Sequence, residues 1–152
     1  MVNQSLKAAL LWQLHCLLDE RIAGLEQSLT ATRESRDSDT KSSAGDKYET
    51  GREMAQQEMD KQTAQLAKTH CMKRELTAIK PETEKQVAEF GSLVVCDSGN
   101  YFISIPLGQI DMCGCQFLCL SLASPLGQAL AGRRPGDKLL FNGKTFRIER
   151  IE

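Results

Sequence analysis

DSDTKSSAGDKYETGREM, residues Asp37 to Met54, decides how the rest of the chain is read. It is almost bare of aliphatic side chains, carries both signs of charge, and lies between two long stretches with helical periodicity. As a free linker it would leave two independent helices. As a tight connection it would make them an antiparallel hairpin, with this stretch at the far end.

On its N-terminal side, Gln4 to about Arg33 has no proline and a single glycine, Gly24. Leu6, Leu10, Leu14, Leu18, Ile22, Leu25 and Leu29 recur at steps of four and three, which puts them on one helical stripe with charged residues opposite. On the other side a second helix starts inside the quoted stretch and runs to about Ile79, because Pro81 forbids continuation. Its stripe is Tyr48, Ala55, Met59, Gln62, Leu66, Thr69 and Leu76, at near-heptad steps. Glu49, Glu53 and Glu58 lie toward its start and Lys68, Lys73 and Arg74 toward its end, the favourable order for the helix dipole. Two helices of about 30 residues, each about 45 Å long, joined by one short connection, predict an antiparallel coiled-coil hairpin over residues 1–80 with its tip at about 35–46.

Beyond Pro81 the pattern changes. FGSLVVCD (Phe90–Asp97) reads as a strand, Ser98-Gly99-Asn100 as a turn and YFISI (Tyr101–Ile105) as the partner strand. A loop from Pro106-Leu107-Gly108 leads to a further apolar run, CQFLCLSL (Cys115–Leu122). In SPLGQALAG, Ser124 suits a helix N-cap, Pro125 the first helical position and Gly132 the residue past the end, so one short helix is expected. RRPGD is a turn, and LLFNGKTFRIERI closes the chain as a hairpin around Asn142-Gly143, with Leu140, Thr145 or Phe146, and Ile148 facing inward. Residues 81–152 are therefore a small β-rich domain of four or five strands and one short helix. The fold class is α+β.

A formal net charge of −1 gives no bulk drive toward nucleic acid or an anionic membrane, so any such contact needs a local patch or a protein go-between. The apolar run Leu6–Leu18 is broken by Gln13 and His15 and has no small-residue cleavage site, and no window reaches the ~18 apolar residues of a membrane span. A cytoplasmic protein is expected. Its six cysteines are then expected to be reduced. Cys113-Gly-Cys115 with Cys119, and Cys96 on a neighbouring strand, does not have the paired C-x₂₋₄-C spacing of zinc sites, and small apolar filler is the plainer reading. His15 and His70 read as helix-surface residues. Ser42-Ser43-Ala44-Gly45-Asp46-Lys47 lacks the spacing of a nucleotide loop, and Ser42 or Ser43 reads as a helix cap.

The motif SPLGQALAGRRPGD (Ser124–Asp137), preceded by FGSLV (Phe90–Val94) and by KYETGR around Tyr48 and Arg52, resembles the bacterial Gre transcript-cleavage factor family in the same order along nearly the whole chain. The resemblance implies an FKBP-like C-terminal domain over 81–152 that docks beside the secondary channel of RNA polymerase. The hairpin enters that channel, and tip acids help to hold a second magnesium ion at the polymerase's own active centre. Such a factor is not an enzyme itself; at most it stimulates the polymerase's own transcript hydrolysis, by two-metal chemistry with carboxylates supplied in trans. It holds no cofactor of its own, contacts nascent RNA or DNA only indirectly, has no membrane partner, and is expected to be a monomer.

The chain departs from the family at the tip. The family's run reads like G-D-L-[SK]-E-N-A-E-Y, with acids seven and four residues before the tyrosine; counted back from Tyr48, those positions are Lys41 and Ala44, and neither ligates magnesium. The tip candidates are Asp37, Asp39, Lys41, Asp46, Lys47, Tyr48, Glu49 and Arg52, with Asp39 and Asp46 the pair for a shared magnesium ion if a local shift brings them together. A solvated loop with acids at a helix start explains the same residues without any metal. The polymerase-contact candidates are Ser124, Pro125, Leu126, Gly127, Arg133 and Arg134, with Lys138, Lys144 and Arg147 in the adjacent hairpin, although a wet basic surface would look the same. Two readings of other classes stay open at this point: a coiled-coil dimer or scaffold, and an FKBP-like peptidyl-prolyl isomerase.

Overall fold

The computed structural model describes residues 5–38 and 46–152, with the side chains of residues 46 and 47 left undescribed. Two long helices, α1 (Leu6–Ser38) and α2 (Asp46–Thr77), precede six strands: β1 (Leu93–Cys96), β2 (Gly99–Ile103), β3 (Gly108–Met112), β4 (Cys115–Leu120), β5 (Lys138–Phe141) and β6 (Lys144–Ile151). One short helix, α3 (Pro125–Leu130), lies between β4 and β5. The fold is α+β, as the sequence predicts. No described helix is long and apolar enough to cross a membrane. The chain divides into two compact units, one of Leu14–Arg74 and one of Met1–Gln13 with Glu75–Glu152.

In the Leu14–Arg74 unit, Arg36 Nη1 donates to Gln56 Oε1 (3.1 Å), Gln62 Nε2 to Thr32 Oγ1 (3.3 Å), and Lys73 pairs with Asp19. Residue numbers rise along one helix as they fall along the other, so the helices are antiparallel. The expected stripes form the seam: Leu18 and Met59 are buried, and Ile22, Leu25, Leu29, Ala55 and Leu66 are half-buried. Toward the tip the seam turns polar, passing from leucines to Thr32, Arg36 and Gln62. Gln62 Oε1 is buried there with no hydrogen-bond partner among the described residues.

In the other unit the six strands form one sheet in the order β3-β4-β2-β1-β6-β5, antiparallel except for the parallel pair β2–β4. One face carries Val94, Cys96, Ile103, Leu139, Phe146, Ile148 and Ile151, which form a core with Ala88 and with Leu130 of α3. Alternation sends Leu93, Phe102, Phe117 and Cys119 to the opposite face, where they too are buried. The start of α1 belongs to this unit. Ser5 caps it (Ala8 N to Ser5 Oγ, 3.1 Å), Leu10 and Leu11 are buried, and Gln13 Nε2 donates to Asp111 O on β3 (3.1 Å). Lys7 is buried as well and donates to Thr83 O (3.2 Å); desolvation holds its pKa below the ordinary lysine value, with Lys85 adding to the effect.

Two expectations are corrected. The sheet has six strands rather than four or five, because Gly108–Met112, expected as a loop, pairs along β4 from Gly108↔Cys119 to Met112↔Cys115. Leu140 does not face inward: it is 71% exposed, and Leu139, at 4%, takes the core position. The register Leu139↔Phe146 and Leu140↔Thr145 fixes this, since partners in an antiparallel pair share a face and Phe146 is the buried one. Thr145 is therefore exposed too, while Phe146 and Ile148 are buried as expected.

Candidate functional site

The α3 motif is built tightly from its own residues. Ser124 sits in extended conformation as N-cap; its Oγ accepts from Gly127 N (3.0 Å) and donates to Ser121 O (2.6 Å). Pro125, at the first helical position, has no N–H to leave unsatisfied. Leu126 packs against the core cluster and Gly127 is buried. A methyl group on Gly127 would stand 2.2 Å from Ser121 O, so only glycine lets α3 lie this close to the chain leaving β4. Past the helix, Gly132 (φ 76°) reverses the chain in the left-handed region, where glycine carries no Cβ penalty. Gly132 N donates to Ala88 O (2.7 Å) and Ala88 N to Arg133 O (2.8 Å).

RRPGD is fastened in the same way. Arg134 N donates to Asp137 Oδ2 (2.8 Å), Gly136 N to Ile148 O (2.7 Å) and Ile148 N to Asp137 O (2.9 Å). These bonds hold the loop along β6, where Lys138 is the register partner of Arg147. The exposed side chains of Lys138 and Arg147 thus share one face of the β5–β6 pair, and those of Arg133 and Arg134 lie in the loop that leads into it. Ser124 and Gly127 are occupied with folding; Pro125, Arg133 and Arg134 are the motif candidates that face solvent.

Beside the motif is an open groove of about 650 Å³, lined in part by Phe90, Ser104, Leu122 and Gln128. Ser104 is buried and its hydroxyl has no partner among the described residues. Sequence reading missed this groove, because Ser104 looks like one more residue of an alternating strand. The domain's larger aromatics are taken up in packing: Phe102 and Phe117 are fully buried, and Phe146 lies 6.0 Å from the Tyr101 ring.

At the other candidate site, Asp39 and Lys41 lie outside the described residues, as do Ser42 and Ser43. Asp46 and Lys47 are placed as the first residues of α2, without their side chains. Asp37, in the last turn of α1, accepts from Arg36 Nε at 3.2 Å. Tyr48 is half-buried and accepts from Arg52 Nη1 (2.9 Å), one helical turn on, while Glu49 and Arg52 are exposed. With Arg36 opposite Gln56, the end of α1 at Ser38 falls opposite about Met54, so α2 begins some two turns beyond it. Tyr48, Glu49 and Arg52 lie in the turns of α2 beyond the last described residue of α1, and Asp37 does not. Among the described residues no three of His, Cys, Asp and Glu form a group that could hold a metal ion. His15 is half-buried and His70 exposed.

The cysteines divide by environment. Cys96 and Cys119 are buried, and desolvation pushes their thiols up to about 11 and about 12, with Asp97 adding to the shift at Cys96. Cys16, Cys71, Cys113 and Cys115 are exposed, so the filler reading holds for two of the six.

No protein-family model matches the chain, and no curated protein does. Among solved structures, one described as the structure of the transcription factor Gfh1 is 21% identical, the match covering 90% of this chain and 92% of that chain at a TM-score of 0.38. A likeness at that level leaves fold and function to be argued from this chain's own residues.

Proposed function

We propose that the protein is a Gre-like transcription factor that binds RNA polymerase through the α3 side of its sheet domain, places the end of its helical hairpin in the secondary channel, and modulates transcription without stimulating transcript cleavage. One observation supports the reading above the others. A single chain carries an antiparallel helical hairpin followed by a small sheet domain whose SPLGQALAGRRPGD segment is built residue by residue into a capped helix and a fastened basic loop. The non-cleaving form follows from Lys41 and Ala44 at the positions where the resemblance calls for carboxylates. Magnesium binding by a lysine and an alanine has no chemical basis, since magnesium takes oxygen ligands.

Retention of bacterial RNA polymerase core on the immobilised protein tests the partner. Wild type retains it at micromolar concentration, and the charge reversals R133E and R134E together weaken it at least tenfold without changing thermal stability. No retention by the wild type refutes the proposal. Backtracked complexes test the mode of action. No shortening of the RNA is expected, and shortening that disappears in D39A/D46A would replace the non-cleaving form with a cleaving one.

A further inference from the structure

Between β3 and β4 the chain turns on two residues, Cys113 and Gly114, with φ of 53° and 75°, and Met112 and Cys115 pair directly across the turn. The β5–β6 turn, Asn142-Gly143, has nearly the same pair of angles, 51° and 77°. A two-residue turn with both residues left-handed favours Asn-Gly, because asparagine tolerates that conformation and most side chains do not. Cys113 therefore occupies a slot for which local propensity selects a different residue. Packing does not explain it either, since Cys113 and Cys115 are both exposed, and Cys96 and Cys119 already fill the core positions.

We propose that Cys113 and Cys115 form a two-thiolate site for a soft, monovalent, two-coordinate cation of the copper(I) class, held across the β3–β4 turn. Two residues of chain span at most about 7 Å, which keeps the two Cα atoms close enough for both side chains to turn onto one ion. Metal–sulfur bonds of about 2.3 Å leave the two sulfurs up to about 4.6 Å apart. A disulfide instead demands about 2.05 Å and a fixed dihedral, so the ion is the less demanding occupant of a turn this short. Tetrahedral zinc needs four ligands, and no third His, Cys, Asp or Glu joins the pair among the described residues. Thiolates select soft ions, and copper(I), unlike tetrahedral zinc, is satisfied by two of them. Binding displaces both thiol protons, two per ion, with no change of oxidation state; affinity therefore rises with pH.

The full-length chain with C16S and C71S, reduced and free of oxygen, is titrated with copper(I) bicinchoninate, whose colour reports the copper that the protein has not taken. One equivalent is withdrawn, and affinity falls at least tenfold in C115S and in Cys113→Asn. The asparagine variant keeps the turn, because Asn142 occupies the equivalent position in the β5–β6 turn, so a loss of copper there is not a loss of fold. Copper left wholly with bicinchoninate by the parent, or one equivalent still withdrawn by Cys113→Asn, overturns the proposal.

Discussion

Gly127 and Gly24 are both helix-interior glycines without the positive φ that alanine resists, yet the structure assigns opposite outcomes to the same change. At Gly24 a new methyl meets nothing within 4 Å, so Gly24→Ala gains helix propensity and is expected to stabilise by about 0.5–1 kcal/mol. At Gly127 the methyl lands 2.2 Å from Ser121 O, 2.9 Å from Ser124 Oγ and 3.0 Å from Leu122 Cα. Two of these are backbone atoms, and Ser121 O is held in place by bonds from Ser124 Oγ and Ser124 N (2.6 and 3.1 Å). Relief requires moving α3 away from the end of β4, which costs about 1–3 kcal/mol as overpacking and disturbs a cap worth about 1 kcal/mol. Alanine's propensity returns about 1 kcal/mol, which leaves a net loss of about 2 kcal/mol. Urea unfolding read by Trp12 fluorescence reports the unit that contains Gly127, Trp12 being the sole tryptophan, and far-UV circular dichroism reports the helices. Gly127→Ala at or above wild-type stability would refute the close-approach argument, whatever Gly24→Ala does.

Alkaline pH acts through the buried thiols. Cys119 stays protonated in the fold up to about pH 12, whereas the unfolded chain loses that proton near 9. Its contribution is therefore intact below pH 9 and is lost as pH rises, by about 2 kcal/mol at pH 10.5. Cys96 acts in the same direction, and Lys7, whose pKa is lowered, acts in the opposite one. The urea midpoint should fall less steeply between pH 8.5 and 10.5 in Cys119→Ala than in wild type; parallel curves would contradict the assignment. In the hairpin, Gln62→Leu with Thr32→Val removes a buried, unpartnered oxygen together with the hydroxyl that its amide engages, and is expected to stabilise by about 1 kcal/mol. A lower melting temperature by circular dichroism would count against the polar-seam account.

What could be read in the sequence was whatever its local pattern determines. The heptad steps of Leu18 to Leu29 and of Ala55 to Leu66 are a property of one helix at a time, and the antiparallel pairing follows from the single connection between them. Ser124, Pro125 and Gly132 act through neighbours within a few residues, so the capped helix was legible as well. β3 was not. Its five residues offer only Ile110 and Met112 as alternating apolar positions, and its existence depends on pairing with β4. The choice between Leu139 and Leu140 is likewise non-local. Either leucine could face the core until the β5–β6 register is set, and β6 is held in turn by β1 through a bulge between Val95 and Cys96. Ser104 and Gly127 belong to the same class, for their significance lies in atoms brought near by the sheet.

The construction of the α3 segment changes what its motif can be taken to mean. Ser124 and Gly127 answer to Ser121 O, Gly132 and Gly136 to left-handed backbone at φ 76° and 92°, and Asp137 to Arg134 N; each identity is accounted for by a bond, a contact or a backbone angle inside the domain. A chain with an unrelated partner would need the same residues to fold in this way, so the motif is an argument about architecture before it is one about binding. On the proposed function, recognition would fall instead to the exposed side chains of the segment, Pro125, Arg133 and Arg134, with Lys138 and Arg147 nearby in the β5–β6 pair. With a net charge of −1 over the whole chain, these basic side chains act as a local field rather than part of a general one, which is the kind of field that the proposed contact with an acidic protein surface calls for.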